Sequence, residues 1–218
     1  RGGMAAGAAP DTQRPMGNPA RRWLLLVCAL LATAIGIVFW QVGRHPFVDF
    51  DDDQYVTGNP YVLRGLTPEG IRWAFGSTAV QNWHPLTWIS HMADVEFFGL
   101  DAGKHHLVSV LLHASSAALL FLALASMSGA LWRSGFVAAL FALHPLHAES
   151  VAWVAERKDV LSAFFGLLTL LLYARYAQKR SSVESRESRA RTPPPALDSR
   201  PSTLDYSLAV LFFALGLM

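Results

Sequence analysis

Long apolar stretches, separated by blocks that collect nearly all the charge, constrain this chain more than any single motif. They run from Trp23 to Val42, from Leu107 to Met127, from Gly135 to about His144, and from Val160 to Ala177. A membrane-spanning helix needs roughly 20 mainly apolar residues, and the first, second and fourth stretches meet that length or come close. Charged residues make up 16% of the chain, against about a quarter in soluble domains. The expected fold class is all-α integral membrane, a polytopic helical bundle with helices near 23–42, 107–127, 135–147 and 160–177. Apolar character persists through Trp40, too long for a signal-peptide core, so the first helix is expected to remain as an anchor. Tyr206 to Met218 is too short for a span and reads as part of a further helix (204–218), so the chain is expected to be an N-terminal fragment. Cys28 is the lone cysteine, which excludes a disulfide framework within the chain.

The positive-inside rule sets an orientation. Arg14, Arg21 and Arg22 precede the first helix, Arg133 lies between the second and third, and Lys179, Arg180, Arg186, Arg189, Arg191 and Arg200 follow the fourth. Alternating helices place all of these on one side, so the tail 1–22 is expected to be cytoplasmic. The segment 178–203, rich in Ser, Arg, Glu and Pro, reads as a disordered cytoplasmic linker. The opposite side receives the long loop 43–106, acidic in balance and carrying Trp73, Phe75, Trp83, Trp88, Phe97 and Phe98. Thr67-Pro68-Glu69 has the form of a helix start. A second short helix after Pro85 would bring Trp88 and His91 onto nearby faces. The loop is expected to hold interfacial helices, with His84, Trp88 and His91 as support.

Three constellations carry candidate chemistry. The first is Asp51-Asp52-Asp53. One of its carboxylates serves as a general base if it reaches an acceptor hydroxyl, neighbouring like charge raising its pKa. The same group suits Mg2+ or Mn2+, with Asp51 and Asp52 as ligands, and also suits an ordinary acidic loop. The second is His144-Pro145-Leu146-His147-Ala148-Glu149-Ser150, where the third stretch turns polar. Pro145 ends or kinks a helix, and His144, His147 and Glu149 line a cavity, close a helix end or, more weakly, ligate a metal. The third is Glu156-Arg157-Lys158-Asp159. Two cations on the acidic side need a reason: either Glu156 and Asp159 neutralise them, or they hold the phosphate of a lipid carrier, with Arg157 as a bidentate donor. His105, His106 and His113 open the second helix, on the side opposite to that expected for a di-iron desaturase.

Four strings together carry a family resemblance: Phe47–Pro60, Asn82–Met92, His105–His113 and His144–Ser162. They resemble the membrane region of bacterial tetratricopeptide-repeat proteins, which are similar to the transmembrane and tetratricopeptide-repeat O-mannosyltransferases of the GT-C glycosyltransferase class. The resemblance covers about Phe47 to Tyr176. It implies a GT-C-like bundle with a diacidic motif in the first external loop, here Asp51 and Asp52, with Asp53 as an extra acid. It implies a polyprenyl-phosphate sugar donor, inverting transfer to a hydroxyl on a protein or glycan, and repeats after the membrane region that offer a protein-binding surface.

The resulting expectation is a glycosyltransferase of the bacterial inner membrane, multi-pass, acting on the extracytoplasmic side. Asp51 or Asp52 is the base, Arg157 and Lys158 bind donor phosphate, and His144, His147, Glu149, Glu156 and Asp159 shape the cavity or form a second acidic motif. A divalent metal is compatible but not required, because phosphate already leaves well. Membrane lipid is a partner and nucleic acid is not. The alternative is a catalytically silent anchor for a tetratricopeptide-repeat scaffold. A transporter would show inverted repeats of broken helices, whereas this sequence has a single His-Pro-Leu-His break.

Overall fold

The computed structural model describes residues 18–189 and 203–218, which are mostly helical and contain no strand. Helices α1 (Asn18–Phe39), α4 (Ala102–Ser128) and α7 (Arg157–Arg189) form the body of the three segments long and apolar enough to cross a membrane. They correspond to the first, second and fourth apolar stretches. Two shorter apolar helices, α5 (Leu131–Leu143) and α8 (Thr203–Gly216), pack with them. The polar insertions hold α2 (Pro68–Gly76), α3 (Pro85–Phe98) and the single-turn α6 (His147–Ala152).

Helix α1 is apolar on every side, and its packing selects one stripe. Val27, Leu31, Ile35 and Phe39, four residues apart, are buried against Val110, Ala117 and Phe121 of α4 and Ala138 and Ala142 of α5. Leu25, Leu26, Leu30, Ile37 and Val38 stay exposed, as a lipid-facing surface would. Small residues crowd the helix contacts: Ser116, Ala117, Ala123, Ser134, Ala138 and Ala142 are buried. Hydrocarbon provides no hydrophobic drive between helices, so close backbone approach has to supply the packing. Gly129 caps α4 in the left-handed conformation (φ 67°), its N–H donating to the Ala125 carbonyl; this sharp C-cap turns the chain straight into α5.

The polar loop between α1 and α4 forms a second core, made of Tyr55, Val56, Val62, Ala74, Trp88 and Met92 with Val154 and Ala155 from the segment leading into α7. Thr67 caps α2 by accepting from the Gly70 N–H at 3.0 Å, with Pro68 in the first turn, and α3 begins at Pro85. Both helix starts lie where the sequence placed them. Gly103 lets the chain leaving α1 lie against the first turn of α4, since a Cβ there would fall 2.2 Å from the Gly43 carbonyl oxygen.

Two boundaries differ from expectation. The third apolar helix ends at Leu143, short of His147, because His144 is extended (φ −68°, ψ 130°), the conformation a residue before proline prefers. His144 and His147 are therefore not on one helical face; His147 starts α6 instead. Helix α7 continues past 177 to Arg189, so the first part of the segment read as linker is helical. The Arg180–Glu184 pair at i,i+4, 2.8 Å apart, supports that extension on a solvated face. The rest of the expected linker, 190–202, and residues 1–17 of the expected tail lie outside the described residues.

Candidate functional site

The aspartate triplet divides into three environments. Asp52 is fully buried. One carboxylate oxygen accepts from the Val48 N–H at 2.8 Å and the other from the Ala155 N–H at 2.9 Å. Burial pushes its pKa up and the two backbone N–H groups pull against that. Asp52 thus ties the loop to the segment leading into α7 across 103 residues of sequence. Asp51 has a left-handed backbone (φ 73°), which aspartate tolerates better than most residues. Its side chain is half-buried and accepts only a long 3.3 Å bond from Gln54 Nε2. Asp53 is exposed and opens a π-helical turn, Asp53–Thr57.

That turn delivers Tyr55 into an aromatic stack. Its ring lies parallel to Trp88 with centroids 4.9 Å apart and to His84 at 5.5 Å. Lys158 Nζ stands 5.8 Å from the same ring and pairs with Glu156 at 2.8 Å. Burial raises the Tyr55 pKa, with Lys158, Glu156 and Asp51 all close enough to act on it. The His84 pKa is lowered to about 4 by burial and then by Lys158, so the imidazole is neutral at physiological pH. Asp51, Glu156 and Lys158 therefore all lie near enough to Tyr55 to act on its charge. Lys158 also lines a cleft of about 200 Å³ with His84, Thr87, Asp159 and Ser162.

Arg157 points away from this group. It is fully buried, with Nε donating to Ser109 Oγ (2.9 Å), Nη1 to Ser90 Oγ (2.8 Å), and Nη2 to Asp94 Oδ2 and the His105 carbonyl (2.7 Å each). One side chain thereby joins α3, α4 and α7.

The sequence of this folded region has relatives of stated activity. It is 30% identical over 166 residues to protein O-mannosyl-transferase tmtc2 of Xenopus laevis, an alignment covering 71% of this chain and 19% of that protein. It is 33% identical over 167 residues to protein O-mannosyl-transferase TMTC2 of Mus musculus, with the same coverage. With protein O-mannosyl-transferase TMTC1 of Mus musculus it shares 33% over 159 residues, 67% of this chain and 16% of the relative. The chain is similar to protein O-mannosyl-transferases. The matched part is about a fifth of the relatives' length or less. No protein-family model matches the chain, and no solved structure does.

Within this O-mannosyl-transferase-like region, the residues singled out from sequence fall into separate groups. Asp51, Glu156, Lys158, His84 and Trp88 come together around Tyr55. His91 lies beneath them, buried, its ring 6.2 Å from Tyr55. Asp159 is exposed and accepts from Ser150 Oγ at 2.9 Å. His147 packs on Phe141 and His113, with centroids 4.7 and 5.6 Å away, while His144 and Glu149 are exposed. A cation shared by Asp51 and Asp52 would compete with the two backbone N–H groups that already engage Asp52. Tyr55, Ser90, Asp94 and Ser109 were not anticipated. Asp94 carried one signal, its i,i+3 spacing from His91.

The Asp52 strap predicts a stability effect. Asp52→Asn replaces one acceptor oxygen by an NH2 group that faces a backbone N–H. Hydrogen bonds to charged groups contribute about 1.5–3 kcal/mol each, so this substitution should cost about 2 kcal/mol. The check is thermal unfolding in detergent, where a melting temperature equal to wild type would contradict the strap.

Proposed function

We propose that this chain is the membrane core of a GT-C-class glycosyltransferase of the bacterial inner membrane, its N-terminus cytoplasmic. It would move a sugar from a polyprenyl-phosphate carrier to a hydroxyl on a protein or glycan, on the extracytoplasmic side. Similarity to protein O-mannosyl-transferases supports the reaction class. The carrying observation is that Asp52 accepts from the Ala155 N–H, which ties the loop holding Asp51 to the segment that leads into Glu156 and Lys158. In this reading Asp51 takes the proton of the acceptor hydroxyl. The oxygen attacks the anomeric carbon, the bond from that carbon to phosphate oxygen breaks, and polyprenyl phosphate leaves with the electron pair. Lys158 stabilises the charge that grows on the phosphate. Asp52 and Arg157 act as positioning residues.

One observation favours the silent anchor instead: Asp52 and Arg157, two of the four residues expected to do chemistry, are fully engaged in holding the fold. Transfer from polyprenyl-phosphate mannose by the full-length protein in lipid vesicles decides between the readings. Lys158→Ala should lower kcat/KM for the donor by about 10- to 100-fold, a lost charge-assisted contact being worth about 1.5–3 kcal/mol, with the melting temperature unchanged. Absence of transfer by wild type supports the anchor, and equal kcat/KM values remove Lys158 from the mechanism.

A further inference from the structure

His91 is fully buried, and neither of its ring nitrogens has a hydrogen-bond partner among the described residues. Buried polar atoms are nearly always satisfied, so two orphaned atoms on one ring call for an occupant. One turn along α3, Asp94 turns its carboxylate to the same place. Across from it on α4, His105 sets Nε2 2.9 Å from the Gly99 carbonyl. A carbonyl only accepts, so Nε2 carries a proton and Nδ1 is the ring atom left to ligate. That Nδ1 is buried and unpartnered, 3.6 Å from Asp94 Oδ2, too far for a hydrogen bond. Ligand atoms from His91, Asp94 and His105 all lie within 4.8 Å of one another.

We propose that His91, Asp94 and His105 form a structural site for a divalent transition metal of the zinc class, pinning α3 to α4. Two imidazole nitrogens and one carboxylate are a zinc-type donor set, and placing a histidine and a carboxylate three residues apart on one helix, with further ligands from facing helices, is how metal-binding bundles assemble their ligands. The Gly99 carbonyl supplies the outer hydrogen bond that commonly orients a ligating histidine. Tetrahedral ligands at zinc distances sit about 3.4 Å apart, so closure asks for shifts of about an ångström. Arg157 already neutralises Asp94. This site does not depend on the sugar-transfer reading, since its three ligands are separate from Asp51 and Lys158.

The test uses the full-length protein, stripped with a chelator and then given Zn2+ alone. Metal content should return to one ion per chain, and the melting temperature should rise as the ion binds. X-ray absorption of the wild type loaded with Zn2+ should show two histidine nitrogens at about 2.0 Å, a readout that needs no variant. His91→Ala and His105→Ala should each lower bound zinc to a small fraction of one per chain. Stoichiometric zinc in both variants, a spectrum without histidine, or no zinc retained by the wild type would overturn the proposal, the last assigning the His91 nitrogens to buried water.

Discussion

Asp51→Asn should lower sugar transfer by about 10²- to 10⁴-fold, the usual worth of a positioned general base, while leaving stability within about half a kcal/mol of wild type. The two effects separate because of where Asp51 sits. Its carboxylate holds only a 3.3 Å contact to Gln54, and its side chain is half-buried, so asparagine fits with little structural penalty. Its backbone, by contrast, is held at φ 73°, a conformation that costs a residue with a Cβ about 1–2 kcal/mol. Strain of this kind persists where the surroundings over-determine it, often at functional sites. Asp51→Gly extends the comparison: it relieves the strain, so the protein should be at least as stable as Asp51→Asn and equally inactive. Donor KM should change little in either variant, since the base acts on the acceptor. If Asp51→Asn transfers sugar at the wild-type rate, the acceptor proton goes elsewhere and Asp51 is only a turn residue.

The legible part of this molecule is the part governed by local chemistry. Apolar length marked α1, α4 and α7, and Thr67-Pro68 marked the start of α2. Pro145 signalled a break, although the expected helix ran four residues too far, to His147. Charge placement puts the diacidic loop and the Glu156–Asp159 block on one side without naming any contact between them. In the structure the tie is Asp52 to the Ala155 N–H, and no side-chain pattern encodes a backbone donor 103 residues away. Tyr55 was missed for a related reason. Its function as a stacking plate depends on a π turn that aims it at Trp88 and His84, and one tyrosine in an acidic loop carries no periodicity. The Glu156-Arg157-Lys158-Asp159 block posed a sharper ambiguity. Two adjacent cations look alike in sequence, but the turn into α7 sends one into the bundle and leaves the other at the surface.

That division gives the largest expected effect on stability. Arg157→Ala should cost about 3–5 kcal/mol, the usual penalty for removing one partner of a buried ion pair. It would strand the Asp94 carboxylate, which burial already pushes toward protonation and which Arg157 holds down. It would also leave Ser90, Ser109 and the His105 carbonyl without their donor. Arg157→Lys should recover little of this loss, because an ammonium cannot reproduce the fork that reaches α3 and α4 at once. The pairwise part can be isolated with Arg157→Met, Asp94→Asn and the double variant, by thermal unfolding in one detergent. The double variant should be more stable than the sum of the two single losses predicts, by about 1–3 kcal/mol, because it no longer holds an unpaired charge. A phosphate-binding Arg157 predicts the reverse pattern. Arg157→Lys would then melt like wild type and show its defect in donor KM, and an unperturbed melting temperature for that variant would return Arg157 from the frame of the fold to the substrate site.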